Sequence, residues 1–139
     1  ATEELTVDGL ITSNGEQPPE DLAACGYHGG GGGGSGGGIL VASPLLKGAG
    51  TLRANGGEGG YSPDGSWAWA GGGGGGGRVK VFAVNQDSFQ GTLQANQGPA
   101  GQCAPGDANS SSADGNPGNE GSTYSENSFP DELANFTCD

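Results

Sequence analysis

Gly50-Thr51-Leu52-Arg53-Ala54-Asn55-Gly56 has a counterpart on each side: Gly9-Leu10-Ile11-Thr12-Ser13-Asn14-Gly15 before it and Gly91-Thr92-Leu93-Gln94-Ala95-Asn96-Gln97 after it. From position 9 to 50, and from 50 to 91, the step is 41 residues. The shared pattern is Gly, a small or apolar residue, a branched aliphatic, a polar residue, Ala or Ser, then Asn. It describes a short strand ending in a turn, because Asn and Gly tolerate positive φ where other residues do not. Three matched sites at equal spacing mark a repeat architecture, in which each unit buries its apolar face against its neighbours.

A second feature keeps step with the first. Tyr27-His28 precedes the run Gly29–Gly34, Ser35, Gly36–Gly38, and Trp67-Ala68-Trp69-Ala70 precedes the run Gly71–Gly77. Each run opens into a β-rich stretch, Ile39-Leu40-Val41-Ala42 after the first and Val79-Lys80-Val81-Phe82-Ala83-Val84 after the second. The third copy is degraded, with Gly118-Asn119-Glu120-Gly121 leading into Ser122-Thr123-Tyr124. A single run of glycines reads as a flexible linker. Two runs in equivalent contexts do not. Glycine lets backbones approach closely, extended three-per-turn chains bundle where only Gly faces the neighbour, and the bundle then satisfies the peptide groups.

The composition agrees with this and excludes much else. Of 139 residues 33 are Gly and 8 are Pro. Helix interiors lose about 1 kcal/mol per Gly, so a helical fold is excluded. No apolar run is long enough for a membrane-spanning helix. The net charge is −12, from 16 acids against 4 bases. Nucleic acid is therefore excluded as a partner, since phosphate binding needs basic neutralisation. The four bases (Lys47, Arg53, Arg78 and Lys80) lie between residues 47 and 80, and residues 81–139 carry acids only.

The predicted fold is thus all-β: a solenoid or β-helix-like stack of three glycine-rich repeats of about 41 residues with polyglycine-II-like segments on one side. The repeat domain spans residues 1–124, in units of about 1–41, 42–82 and 83–124, followed by a C-terminal segment, 125–139. Oligoglycine, a strand, then the Gly-Thr-Leu-x-Ala-Asn-Gly turn resemble the glycine-rich repeats of large extracellular proteins and adhesins with parallel β-helix-like solenoids. The oligoglycine segments also look like the polyglycine-II bundles of phage tail-fibre adhesins and some antifreeze proteins. This resemblance covers residues 1 to about 124. It implies stacked coils on the cell exterior and names no chemistry.

No constellation points to catalysis. The one histidine, His28, stands in Cys25-x-x-His28, and a thiol there needs an electropositive pocket to become a nucleophile. A structural role under the glycine bundle is the expectation. Cys25, His28, Cys103 and Cys138 lack the paired spacing of zinc knuckles. Neither glycine run is followed by Gly-Lys-Ser/Thr, so a phosphate loop is excluded. Asp107, Asn109 and Asp114 set oxygen ligands at spacings reminiscent of calcium loops, without the central Gly and terminal Glu. A solvated acidic loop is the expectation there, and no cofactor is required. Trp67 and Trp69 align with Cys25 and Tyr27 in the repeat, which predicts a buried, structural pair. The chain is expected not to be an enzyme.

Three cysteines in a small, poorly cored chain suggest an oxidising exterior. The expected disulfide is Cys103–Cys138, stapling the unrepeated end, with Cys25 left as a free thiol or for an intermolecular bond. Asn109-Ser110-Ser111 and Asn135-Phe136-Thr137 are glycosylation sequons if the source is a secreting eukaryote. The chain opens at Ala1 rather than Met, as a processed or excised chain does. Its first strand, carrying Leu5, Val7, Leu10 and Ile11, starts mid-unit and predicts an uncapped assembly edge to which a second copy adds head to tail. The expected function is therefore a structural subunit or segment of an extracellular filament, appendage or matrix. The alternative is a surface-binding module, of adhesin or ice-binding type, that presents loops to a carbohydrate or cell-surface receptor.

Overall fold

The computed structural model describes residues 3–19, 29–61, 69–103 and 114–128. Seven strands lie in them: β1 (Glu4–Thr6), β2 (Leu10–Thr12), β3 (Gly38–Gly48), β4 (Thr51–Arg53), β5 (Arg78–Phe89), β6 (Thr92–Gln94) and β7 (Ser122–Glu126). Among the described residues there is no helix. All pairings are parallel. One sheet has the order β1-β3-β5-β7 and the other β2-β4-β6. The three copies of the repeated segment are neighbours in the second sheet, where Ile11 pairs with Leu52 and Leu52 with Leu93. The register step there equals the sequence repeat.

The long strands exceed the four to six apolar residues that suggested them. β3 runs on through Pro44 to Gly48, and β5 through Asn85 to Phe89. Alternation explains their burial: Val41 and Ser43 of β3 and Val79, Val81 and Ala83 of β5 point inward, while Leu40, Ala42 and Lys80 point out. A register shift between Leu45 and Lys47 turns the strand so that Leu46 is buried. Gly48 then leaves the sheet at φ 103°, a conformation that disfavours any side chain. The core is small, consisting of Val7, Val41, Leu46, Leu52, Ala54, Val79, Val81 and Ala83, with Ile39, Phe89 and Leu93 packed against it. Each fully buried Val or Leu contributes about 1.5–3 kcal/mol.

Beyond the strands the chain continues as extended segments in two layers. Residues 29–37, 71–77 and 115–121 form one layer, and they lead into the long strands. Residues 13–18, 54–60 and 95–101 form the other, and they follow the short strands. Within a layer the bonds advance by three residues: the N–H groups of Gly30, Gly33 and Gly36 donate to the carbonyls of Trp69, Gly72 and Gly75 at 2.6, 2.8 and 2.8 Å. Three residues is the period of polyproline II. Between layers the direction reverses. Gly71, Gly74 and Gly77 donate to Gly60, Gly57 and Ala54, and Gly57 and Gly60 donate to Gly34 and Gly31. The Gly/Pro-rich connections are thus the hydrogen-bonding partners of the oligoglycine runs.

Sterics set which glycines are required. A Cβ on Gly71, Gly74 or Gly77 would overlap the carbonyl oxygen of Gly31, Gly34 or Gly37. On Gly72 or Gly75 the nearest atoms would be the Asn116 and Asn119 carbonyl oxygens, at 3.4 and 3.7 Å. The third copy, Gly115-Asn116-Pro117-Gly118-Asn119-Glu120-Gly121, retains glycine only where contact demands it. Ser35, which interrupts the first run, occupies the open phase and is exposed.

Candidate functional site

The expected assembly edge is the outer side of β1 and β2. Leu5, Leu10 and Ile11 are exposed there at 37%, 55% and 42%. They sit on β1 and β2, the first strands of their sheets, so nothing among the described residues stacks on their far side. Val7 does not belong with them. It is 5% exposed and part of the core, because the chain turns between β1 and β2 and folds this side chain inward. Its N–H donates to the Lys47 carbonyl, and its own carbonyl accepts from Gly50.

Side chains tie this first repeat to the next. The Lys47 ammonium donates to Glu4 at 2.8 Å, and this hydrogen bond leads the effects that hold the Glu4 carboxyl below its ordinary range. Both groups are solvated, so the pair adds little stability. Asp8 Oδ1 accepts the Ala49 N–H at 3.2 Å. The asparagines that close the repeated segment form a ladder: Asn14 Oδ1 accepts from the Asn55 N–H at 2.9 Å, and Asn55 Oδ1 from the Asn96 N–H at 3.0 Å. Truncating Asn55 to alanine removes one rung and leaves the Asn96 N–H without it. The expected cost is about 0.5–1.5 kcal/mol, read as a shift in the denaturation midpoint with an unchanged slope.

At the opposite side, β7 covers Phe82 with Tyr124, ring centroids 5.8 Å apart. Tyr124 and Ser128 donate to the Glu126 carboxylate; the Tyr124 contact leads in raising that phenol and lowering that carboxyl. In the glycine layers Glu120 Oε2 accepts the Gln97 N–H at 3.2 Å, and Asp114 Oδ1 accepts the Cys103 N–H at 3.0 Å.

The remaining sequence candidates divide. Cys103 is half-buried beside Asp114, whereas Cys25 and Cys138 lie outside the described residues, so the expected disulfide does too. So do His28, Trp67, Asp107 and both sequon asparagines, Asn109 and Asn135. Of the calcium candidates only Asp114 is described. Among the described residues no group of three or more His, Cys, Asp or Glu is placed to hold a metal. Trp69 contradicts the buried pair expected from the repeat: its side chain is 59% exposed, because only its backbone carbonyl, which accepts from Gly30, is needed by the layer. Tyr61 is 49% exposed.

Sequence reasoning missed the asparagine ladder and the Glu120 contact. The 41-residue recurrence of Asn was the available signal for the first; the second had none. The sequence matches no protein-family model, and neither a curated protein nor a solved structure matches it significantly. Among the described residues no helix is long and apolar enough to cross a membrane.

Proposed function

We propose that the chain is a structural segment of an extracellular filament, appendage or matrix, built as a flattened β-solenoid with a polyglycine-II-like half. One observation carries this: the glycine segments bond on both sides, within their layer and across it, with every third residue turned outward. Such cohesion comes from the backbone itself and suits a stiff element whose surface side chains are free to vary. The expected join between units uses the outer side of β1 and β2, where Leu5, Leu10 and Ile11 are exposed. Immunogold labelling of intact source cells tests this. Label on external fibres or matrix is expected; label confined to the cell interior would overturn it.

A second reading has its own observation. Tyr61 and Trp69 are exposed at the two ends of the 62–68 connection, as aromatic anchors of a surface-binding module are. Under that reading Trp69→Ala abolishes adhesion to cells or glycans. Under the structural reading it leaves function intact. Under both, the midpoint of thermal unfolding stays within about 2 °C of the parent, because an exposed ring contributes little.

A further inference from the structure

Inside each glycine layer, every bond among the described residues that joins successive coils runs the same way. Gly15 donates to Asn55, Gly56 to Asn96 and Gly59 to Pro99 in one layer. Gly30, Gly33 and Gly36 donate to Trp69, Gly72 and Gly75, and Gly73 and Gly76 to Asn116 and Asn119, in the other. The donor always belongs to the earlier coil. Parallel sheets exchange donors and acceptors both ways, since Thr51 also donates back to Gly9 and Thr92 to Gly50. The layers do not. A stack of this kind therefore has two chemically different faces.

Register identifies the groups at each face. On the first coil the carbonyls of Asn14, Gly29, Gly32 and Ser35 occupy the positions that accept in later coils, and no bond to them exists among the described residues. On the last coil the donor positions fall, by the 41-residue step of the short strands and the 44-residue step between β5 and β7, on Gln97, Ala100, Pro117 and Glu120. Pro117 has no N–H. The Gln97 N–H is already taken by the Glu120 carboxylate at 3.2 Å. Glu120 also sets a negative charge where the next coil would bring carbonyl oxygens. Proline and charge are the devices by which strand edges are kept from pairing.

We propose that these faces are a docking surface and a stop. The first-coil face takes a glycine-rich extended segment that donates an N–H at every third residue, and the last-coil face is closed against continuation by Pro117 and Glu120. The proposal rests on the solenoid reading. It narrows the head-to-tail contact: in an unmodified second copy Pro117 has no N–H, the Gln97 N–H is taken and Glu120 brings a charge, so the partner is a glycine-rich unit without this stop.

The test makes such a unit. P117G/E120G restores both the N–H and a bare surface; P117A/E120Q restores the N–H and removes the charge while keeping side chains. Residues 117 and 120 are exposed, so neither change touches the core. By sedimentation velocity the parent chain should keep one mass over about a hundredfold range of concentration. The P117G/E120G chain should at least double in apparent mass, whereas P117A/E120Q should not, because a Cβ at the equivalent Gly73 and Gly76 would overlap the next coil's Gly98 and Ala95 carbonyl oxygens. Adding parent chain should shorten the P117G/E120G oligomers, since its last-coil face is closed at residues 117 and 120. Oligomers of the parent as large as those of P117G/E120G would overturn the proposal, as would a monomeric P117G/E120G chain that keeps the parent's circular dichroism. If both variants lose the β spectrum, residues 117 and 120 are structural and the stop is rejected. Glycine amides of the parent that exchange without protection would instead overturn the layered reading beneath it.

Discussion

Replacing Gly74 with alanine should destabilise the protein by about 3 kcal/mol, the upper end for overpacking, because the new methyl meets backbone that cannot rotate away. It would overlap the Gly34 carbonyl in the neighbouring segment of its own layer. Gly74 also donates to Gly57 and accepts from Gly98, so backing away breaks bonds to the second layer. For a chain of this size that is a fall of about 10 °C in the midpoint of thermal unfolding. Gly75→Ala, one residue along, has the opposite expectation. Its methyl would stand 3.7 Å from the Asn119 oxygen in ordinary contact. Losing glycine's freedom in the unfolded chain then stabilises by up to about 1 kcal/mol. Equal effects at the two positions, measured by circular dichroism melting, would contradict the three-residue phase.

The second large effect lies in the other half of the molecule. Leu52 is fully buried at the centre of the short sheet, between Ile11 and Leu93. Leu52→Ala should cost about 2–5 kcal/mol from lost transfer energy and the cavity left behind. With so few apolar residues in the core, that is a large share of a typical net stability of about 5–15 kcal/mol. Ile11→Ala changes the same column of the repeat but should cost well under half as much, since Ile11 is 42% exposed. Urea denaturation of the two variants decides the point. Comparable losses would mean that Ile11 is covered and β2 is not an edge.

Much of this was legible from the chain because the repeat and the register coincide. The match of Gly9–Gly15, Gly50–Gly56 and Gly91–Gln97 places Ile11, Leu52 and Leu93 in one column, and they pair. The β-rich stretches after each glycine run also become adjacent strands. What the sequence hid was phase. Gly71–Gly77 is a homopolymer, in which inward, outward and lateral positions look alike, and only Ser35 and the sparse glycines of residues 115–121 break the degeneracy. The second layer was hidden for a related reason: Gly56-Gly57-Glu58-Gly59-Gly60 and Gly98-Pro99-Ala100-Gly101 have the composition of turns, yet they supply donors and acceptors to the runs. Val7 and Trp69 failed in opposite directions. An apolar residue next to an edge strand was turned inward by the chain reversal after β1, and an aromatic in a repeated context was needed only for its carbonyl.

Amide hydrogen exchange across Gly71–Gly77 tests the hydrogen-bonded glycine stack most directly. The N–H groups of Gly71, Gly73, Gly74, Gly76 and Gly77 all donate to carbonyls. They should be protected by orders of magnitude, in proportion to the free energy of opening. Gly72 and Gly75, which face outward, should exchange at the rate of an exposed amide. Uniformly fast exchange through all seven glycines would show a flexible linker, and the layered account would be wrong.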